Sequence, residues 1–163
     1  MNLNGTSLTN FIDLSDNNKL MVLDWRNNED VRKWMYNSDP ISKEEHFAFI
    51  NTLKINKTKL YYLVSHKENS IGVIYFTDID STSKSAEFGI YSNPYSKGNG
   101  KILMDCICEY GFNILNLHKI VAEVFANNQR AINLYHHFNF NKIGENLLNN
   151  KKVIYMELKN EHR

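Results

Sequence analysis

Two glycines stand one residue apart in the segment NPYSKGNGKILMD (93–105), with a lysine on each outer side. A strand-like stretch precedes the segment and an apolar, helix-like stretch follows it, so Gly98 and Gly100 fall where a helix begins. The first N–H groups of a helix have no partner within the helix, and the helix dipole favours negative charge there. Glycines let a phosphate approach these N–H groups, and Lys97 and Lys101 add positive charge. The segment therefore predicts an anion site.

This segment differs from two common nucleotide-binding loops. It lacks the Gly-Lys-Ser/Thr ending of a Walker loop, which argues against an NTPase. It also lacks the third glycine of the dinucleotide fingerprint. Taken alone, the glycine pair is equally compatible with an ordinary strand-to-helix turn.

A second segment, NNQRAINLYHHFNF (127–140), changes that balance. It begins with a helix-capping Asn and places Ala131, Leu134 and Tyr135 on one side of a predicted helix. A GxG loop after one strand, followed by N-x-x-A-x-x-L-Y-x-x-x-x-F after the next, resembles the GCN5-related N-acetyltransferase (GNAT) superfamily. The resemblance covers most of the chain. It implies an acetyl-CoA enzyme.

The resemblance also implies where acetyl-CoA binds. The pyrophosphate would lie on the glycine loop, and the pantetheine arm would run between two strands that splay apart, 85–92 and 118–126. Backbone N–H groups around Ile90 and Tyr91 would stabilise the oxyanion. The predicted cofactor-binding residues are Ile90, Tyr91, Ser96, Lys97, Gly98, Asn99, Gly100, Lys101, Asn128 and Arg130. Two departures from the superfamily pattern are Tyr95, in place of Gln or Arg, and Asn139, in place of Gly.

Two catalytic residues follow from the same resemblance. Tyr135 would protonate the departing thiolate, and Glu87 would act as a base toward the amine, directly or through water. Each has an alternative: Tyr135 as a tyrosine that only packs in the core, and Glu87 as a strand carboxylate paired with a lysine. Because the amine attacks the thioester directly, no acyl-enzyme nucleophile is needed, and Cys106 and Cys108 are interpreted as small core or surface residues.

The amino-terminal half is expected to hold the acceptor. The segments WRNNEDVRKWM (25–35) and EEHFAFI (44–50) resemble the branch that acetylates ribosomal-protein amino termini and nucleotide-linked amino sugars. The spacing is most similar to the acetyltransferases of pseudaminic acid biosynthesis, which implies a UDP-linked 4-amino sugar as substrate. The predicted substrate-binding residues are Arg26, Met35, His46 and Lys84.

Alternatives remain open for most of these residues. Met35 has the type and position of a helix-packing residue, His46 of a core histidine, and Lys84 of a solvated loop residue. The acceptor is also open, since a protein amino terminus or a small polyamine would use the same chemistry. A third alternative is a non-catalytic acyl-CoA-binding module. The basic character of Arg26, His46 and Lys84 favours an anionic sugar nucleotide over a cationic acceptor.

The pattern of elements predicts a single α/β domain over residues 1–163. A strand (8–14) precedes a helix containing KLMVLDWRN, a short helix from Glu29 and a helix entered at Ser42. Three strands, a helix, a strand, a helix and a closing hairpin turning at Asn149-Asn150 follow. The resemblance implies the GNAT fold: a seven-stranded, mostly antiparallel mixed sheet with about four helices and a V-shaped splay between the fourth and fifth strands.

Composition narrows the class further. The chain has 163 residues, 42% of them hydrophobic, and a net charge of +1, which gives no indication of nucleic-acid or membrane binding. Its start is not that of a secretory signal, and no apolar run approaches the ~18 residues of a spanning helix. Two cysteines two apart predict neither a disulfide framework nor a metal pair, which favours the cytoplasm. The histidines and carboxylates form no ligand-spaced cluster, and a homodimer is left open.

Overall fold

The computed structural model describes residues 1–3 and 5–162 and contains eight strands and five α-helices over that part of the chain. The strands are β1 (Asn2–Leu3), β2 (Thr6–Asn10), β3 (Leu60–His66), β4 (Asn69–Asp80), β5 (Ser85–Ser92), β6 (Lys119–Phe125), β7 (Asn141–Leu148) and β8 (Lys151–Lys159). The helices are α1 (Asp16–Asn27), α2 (Glu29–Arg32), α3 (Lys43–Leu53), α4 (Gly100–Glu109) and α5 (Gln129–His137). A π-helical turn extends α4 through Tyr110–Ile114.

All eight strands form one sheet in the order β1-β2-β3-β4-β5-β6-β8-β7. The β5–β6 pair is parallel, and the other six pairs are antiparallel. The mixed, mostly antiparallel sheet and its flanking helices are therefore confirmed.

The count of seven strands was wrong, because the two-residue β1 pairs with the edge of β2. The predicted first strand, 8–14, also ends too late: β2 stops at Asn10, whose side chain accepts a hydrogen bond from the N–H of Ile12 and starts a short 3-10 turn.

Helices cover both faces of the sheet. Side chains from α4 and α5, including Leu103, Ile107 and Ile132, pack with the strand residues of one large buried cluster. Trp25 of α1 and Ile50 of α3 belong to a second cluster on the opposite face. Because side chains alternate along a strand, neighbours such as Val73 and Ile74 belong to different clusters.

Local signals in the sequence account for several element ends. Ser42 and Glu45 form the predicted capping box at the start of α3. Asn149 and Asn150 both have positive φ, at 47° and 62°, as a tight hairpin turn requires. No helix among the described residues is long and apolar enough to cross a membrane.

The strands β5 and β6 separate partway along their length. They pair from Ser85↔Lys119 to Phe88↔Ala122 and no further. Beyond that point β5 stays paired with β4 as far as Ser92, and β6 stays paired with β8 as far as Phe125. This opening is the predicted splay, since β5 and β6 are the strands that the sequence placed fourth and fifth.

Candidate active site

The glycine loop leaves the start of α4 open to a ligand. Gly98 has a φ of +88°, and a Cβ built on it would meet nothing within 4 Å. Asn99 precedes the first turn without capping it: its side chain donates to Ser96 Oγ at 3.0 Å instead. The first turn of α4 contains no acidic residue. The N–H groups and dipole of α4 are thus available to an anion, with Lys97 and Lys101 exposed beside them.

Gly100 faces α5 as well as the loop. A Cβ at Gly100 would lie 3.1 Å from Leu134 Cδ2 on α5. The missing side chain therefore allows α4 and α5 to approach each other. Of the two glycines, Gly98 is the one whose missing side chain leaves open space at the loop.

Tyr95 connects this loop to α1. Its hydroxyl donates a hydrogen bond of 2.9 Å to Asp24, although the ring is 70% exposed. The departure from the superfamily pattern at this position thus fixes the loop to the amino-terminal helices.

The wall of the splay is shaped by Gly89 and Tyr75. A Cβ at Gly89 would overlap the hydroxyl end of Tyr75, so the ring of Tyr75 lies across β5 where β5 leaves β6. Backbone groups of residues 89–92 that point away from β4 have no partner strand. Ile90 and Tyr91 lie in this stretch, as predicted. Nothing in the sequence indicated Tyr75 as a residue of the site.

Tyr135 lies on the α4–α5 side of the opening. It is 6% exposed, and its ring packs against Phe88 at 5.5 Å and Phe140 at 5.7 Å between centroids. Burial raises the pKa of Tyr135 above the usual range of a phenol, so its hydroxyl remains protonated at neutral pH. Asn128 caps the same helix by accepting from the N–H of Ala131 at 3.2 Å, and Arg130 is exposed in the first turn.

Glu87 lies on the opposite face of the sheet from Tyr135. Its neighbours Ala86 and Phe88 are buried in the α4–α5 cluster, so Glu87 points to the opposite face. Desolvation raises the pKa of Glu87, and the carboxylates of Glu123 and Asp78 raise it further. The acid and the base predicted from the sequence thus lie on opposite faces of the sheet, at the point where it opens.

Glu123 and Tyr36 were missed in the sequence. The Tyr36 hydroxyl donates a short hydrogen bond to Glu123 Oε2, and its ring packs edge-on against Phe125 at 5.6 Å. Burial, together with this contact, raises the pKa of Tyr36. A carboxylate within the apolar strand KIVAEVF was a signal that pointed to Glu123, whereas no pattern singled out Tyr36.

Arg26 lies on the acceptor side, near the tyrosines Tyr61, Tyr75 and Tyr91. Its Nη2 donates to the Asn37 carbonyl at 2.8 Å, which holds the segment after α2. Its Nη1 is buried and has no hydrogen-bond partner among the described residues. Desolvation lowers the pKa of Arg26, while the nearby Tyr91 and Tyr75 hydroxyls act in the opposite direction. Met35 is half-buried in the same segment.

His46 and Lys84 lie elsewhere. His46 is 5% exposed, and its Nε2 donates to the Lys19 carbonyl at 2.9 Å, which is the arrangement of a core histidine. Lys84 lies in the turn before β5, where its carbonyl accepts from the N–H of His118 at 2.7 Å. That turn is about 13 Å along the strand from Phe88, at the end opposite to the opening. Neither residue joins the others at the splay.

Comparison with known proteins identifies the family. Residues 8–141 match the acetyltransferase (GNAT) domain. The chain is 38% identical over 155 residues to the acetyltransferase PseH of Campylobacter jejuni, which covers 95% of this chain and 94% of that protein. The chain belongs to the GNAT acetyltransferase family. It is an acetyl-CoA-dependent N-acetyltransferase.

Solved structures agree with this assignment. The crystal structure of Campylobacter jejuni N-acetyltransferase PseH in complex with acetyl coenzyme A has a TM-score of 0.78 at 34% identity, covering 94% of this chain and 98% of that one. Spermidine N-acetyltransferase from Vibrio cholerae, in complex with CoA and spermine, has a TM-score of 0.83 at 23% identity and covers 98% of both chains. The second likeness shows the fold alone.

The donor side of this GNAT domain fits acetyl-CoA. Gly98 leaves open space beside an uncapped helix start, and the splay leaves unpaired backbone groups on β5. Burial raises the pKa of the Cys106 thiol to about 11, so it is unsuited to act as a nucleophile. Within residues 1–3 and 5–162, no group of three or more His, Cys, Asp or Glu side chains is placed to hold a metal ion.

The acceptor side of the GNAT domain is more acidic than the sequence suggested. The carboxylates of Glu123 and Asp78 are close enough to Glu87 to raise its pKa. Of the three basic residues that favoured an anionic acceptor, only Arg26 lies at the opening, near Tyr75 and Tyr91. Carboxylates beside Glu87 suit the amine that an N-acetyltransferase receives.

Proposed function

We propose that this protein transfers acetyl from acetyl-CoA to the 4-amino group of UDP-4-amino-4,6-dideoxy-N-acetyl-β-L-altrosamine in pseudaminic acid biosynthesis. The observation that carries the chemistry is the placement of Glu87 and Tyr135 on opposite faces of the sheet where β5 and β6 part. The choice of acceptor rests on the similarity of the chain to PseH over nearly its whole length.

In this proposal both substrates are bound at once, and the amine attacks directly. Acetyl-CoA supplies the thioester carbonyl. Glu87, with its raised pKa, accepts the proton that the amine loses as the C–N bond forms, directly or through one water. N–H groups of β5 near Ile90 and Tyr91 stabilise the negative charge that develops on the carbonyl oxygen. Tyr135, which is protonated, donates to the sulfur as the C–S bond breaks.

The remaining predicted residues have supporting roles in the proposal. The start of α4 binds the pyrophosphate, with Ser96, Lys97, Asn99 and Lys101 around Gly98. Arg26 holds the segment after α2 against the acceptor side through its hydrogen bond to the Asn37 carbonyl. Met35, half-buried next to Tyr36, suits the apolar 6-deoxy carbon. His46 and Lys84 have no direct role in the proposal.

A small polyamine is the second candidate acceptor. The cluster of Asp78, Glu87 and Glu123 favours it, because carboxylates bind and orient a cationic chain. A polyamine, however, has several ammonium groups along its length that must each be paired with a negative charge. An amino sugar has one amine, so a single group of carboxylates is enough.

Mass spectrometry of the reaction products tests the proposal. The purified protein is incubated with acetyl-CoA and either the UDP-4-amino sugar, spermidine or a peptide with a free amino terminus. We expect a UDP-sugar product heavier by one acetyl group, absent without enzyme, at a kcat/KM well above those of the other acceptors. Preferential acetylation of spermidine or peptide would overturn the acceptor. Failure to bind acetyl-CoA would overturn the interpretation of the glycine loop.

A further inference from the structure

A cavity of about 230 Å³ lies on the acceptor side, next to the carboxylates. Three segments form it: the chain after α2, the end of β6 with the turn that follows, and the start of β8. Its lining residues are Lys33, Trp34, Phe125, Ala126, Asn127, Lys151 and Lys152. Of these, Phe125 is the residue on which Tyr36 packs.

The lining combines positive charge with aromatic rings. Three of its seven residues are lysines and none is acidic. Lys33 Nζ lies 5.7 Å from the centroid of the Trp34 ring, and Lys151 Nζ lies 5.4 Å from that of Phe125. A planar base can stack on the exposed Trp34 ring while its phosphates reach the ammonium groups. This combination is suited to a nucleotide.

The lysines remain accessible to a ligand. Lys33 is paired with Asp30 at 2.7 Å and Lys152 with Glu145 at 3.1 Å. The side chain of Asp30 is 81% exposed and that of Glu145 is 42% exposed, and exposed ion pairs of this kind are weak. A diphosphate brings two negative charges to the same ammonium groups and displaces these partners.

The cavity is next to the reacting centre. Phe125 follows Glu123 by two residues on β6, or about 7 Å. Tyr36 links the two positions, because its ring packs on Phe125 and its hydroxyl donates to Glu123. A ligand extending from Glu87 to this cavity therefore meets carboxylates at one end and lysines at the other.

A larger depression, of about 690 Å³, lies at the other end of the sheet. It is lined by Ser83, His118, Lys119, Lys159, Asn160 and Glu161. It includes an acidic residue and no Phe, Tyr or Trp, and it is separated from the splay by the paired part of β5 and β6. Unlike the smaller cavity, it has no Phe, Tyr or Trp ring on which a base could stack, and it is not adjacent to Glu87 and Glu123.

We infer that the cavity of Lys33, Trp34, Phe125, Lys151 and Lys152 binds the nucleoside diphosphate end of the acceptor while Glu87 and Glu123 receive its amine. This inference rests on the proposed function and extends it. The opposed charges of the two ends fit a molecule with an amine at one end and a diphosphate at the other. They do not fit a polyamine, which is cationic throughout.

Trp34 provides a direct readout for binding. Its side chain is 37% exposed in the cavity wall, whereas Trp25 is 2% exposed and serves as an internal reference. The full-length protein is titrated with UDP, with acetyl-CoA present, while the two indole N–H signals are followed by NMR. We expect the Trp34 signal to shift and saturate while that of Trp25 stays in place. An unmoved Trp34 signal would overturn the inference.

Charge reversal at the cavity tests the lysines. The variant Lys33→Glu/Lys151→Glu should raise the Kd for UDP at least about tenfold, since two ammonium contacts become repulsive. The control, Lys57→Glu, alters an exposed lysine in the loop before β3 and should leave the Kd unchanged. A melting temperature identifies any loss of folding, in which case Lys151→Gln replaces the double variant. An unchanged UDP Kd in the folded variants would contradict the inference.

Kinetics separate this inference from the proposed function. With the UDP-4-amino sugar as acceptor, the double variant should raise the acceptor KM about tenfold and leave kcat and the acetyl-CoA Kd nearly unchanged. If the wild type forms product and the variant KM is the same, the cavity assignment is wrong and the function stands. If the wild type forms no product but UDP binding depends on the lysines, the cavity assignment stands and the proposed acceptor is wrong.

Discussion

The two faces of the opened sheet are built in different ways. The donor side consists of consecutive backbone: one loop, one helix start and the free edge of β5. The acceptor side consists of single side chains from distant parts of the chain, with Tyr36, Glu87 and Glu123 supplied by three separate segments. A site built from consecutive backbone can therefore be recognised as a local motif in the sequence, whereas a site built from side chains of distant segments has no such motif.

The largest expected effect tests the chemistry shared by both sides. Tyr135→Phe should lower kcat by about 10²- to 10³-fold, because no donor remains for the departing thiolate, with little change in acetyl-CoA affinity. Steady-state kinetics and calorimetric titration measure the two quantities. Tyr62→Phe is the matched control, since it removes the hydroxyl of another core tyrosine, which is bonded to Tyr110. Equal activity in both variants would assign Tyr135 to packing alone.

The next effect concerns the carboxylates on the acceptor side. Glu87→Gln should lower kcat/KM by about 10- to 100-fold, because the amine loses its proton acceptor. The raised pKa of Glu87 places the acidic limb of the wild-type pH profile above the ordinary glutamate value of ~4.3. Activity should rise with pH through that limb, since the ionised form is the base.

Removing a neighbouring charge should move this limb. Glu123→Gln lowers the pKa of Glu87 and shifts the limb to lower pH, while Glu44→Gln, on the exposed first turn of α3, leaves it in place. A limb that persists in Glu87→Gln and vanishes in Glu123→Gln would exchange the roles of the two carboxylates.

A smaller effect isolates the backbone on the donor side. Gly98→Ala should weaken acetyl-CoA binding about tenfold, because Ala is strained at a φ of +88° and its Cβ occupies the open space of the loop. Gly5 provides a matched control, with a φ of +79° and no atom within 4 Å of the position that a Cβ would take. Gly5→Ala should lower stability to a similar extent and leave the acetyl-CoA Kd unchanged. Equal Kd values for both variants would remove the loop from the donor site.

The smallest expected effect concerns His46, which lies in the core and belongs to neither side of the site. Desolvation lowers the pKa of His46, so the folded protein favours the neutral imidazole and the unfolded chain takes up the proton. Its contribution to stability is complete above the ordinary histidine pKa of ~6.5 and is lost as the pH falls below it. The free energy of unfolding in urea should therefore drop by at most about 1 kcal/mol on acidification to about pH 5.5.

His46→Gln should reduce this dependence, and His118→Gln, at an exposed histidine, should preserve it. The acceptor KM should stay within about twofold in both variants. A large increase in the acceptor KM for His46→Gln alone would return this residue to the acceptor site.

Sequence patterns predicted most of the fold because many of its determinants are local. The capping box at Ser42, the Asn149–Asn150 turn and the start of α4 after the glycine loop each depend on residues within a few positions of one another. The extra strand β1 escaped prediction, because two residues carry too little pattern to identify a strand. The end of β2 was misplaced, since continuing apolar residues did not reveal that Asn10 starts a turn.

The candidate site could be predicted less completely. The glycine loop, Tyr135 and Glu87 carried signals in their own segments, and the structure brings them to one opening. Glu123 carried a weak signal and Tyr36 none, because their meeting depends on how the chain after α2 lies over β6. His46 and Lys84 had suitable residue types, but neither lies at the opening. His46 is buried in the core, and Lys84 precedes the end of β5 that is paired with β6.

The sequence by itself thus determined the helix starts, the turns and the position of the glycine loop, since these follow from hydrogen bonds between near neighbours. Only the tertiary structure decided which charges meet the acceptor. Strand register and face set those meetings: Glu87 directly precedes the buried Phe88 but lies on the opposite face, and four residue pairs hold β5 to β6 before the strands part. A charged residue in the sequence contributes to the site only if strand pairing and helix packing place its side chain on the face that the ligand contacts.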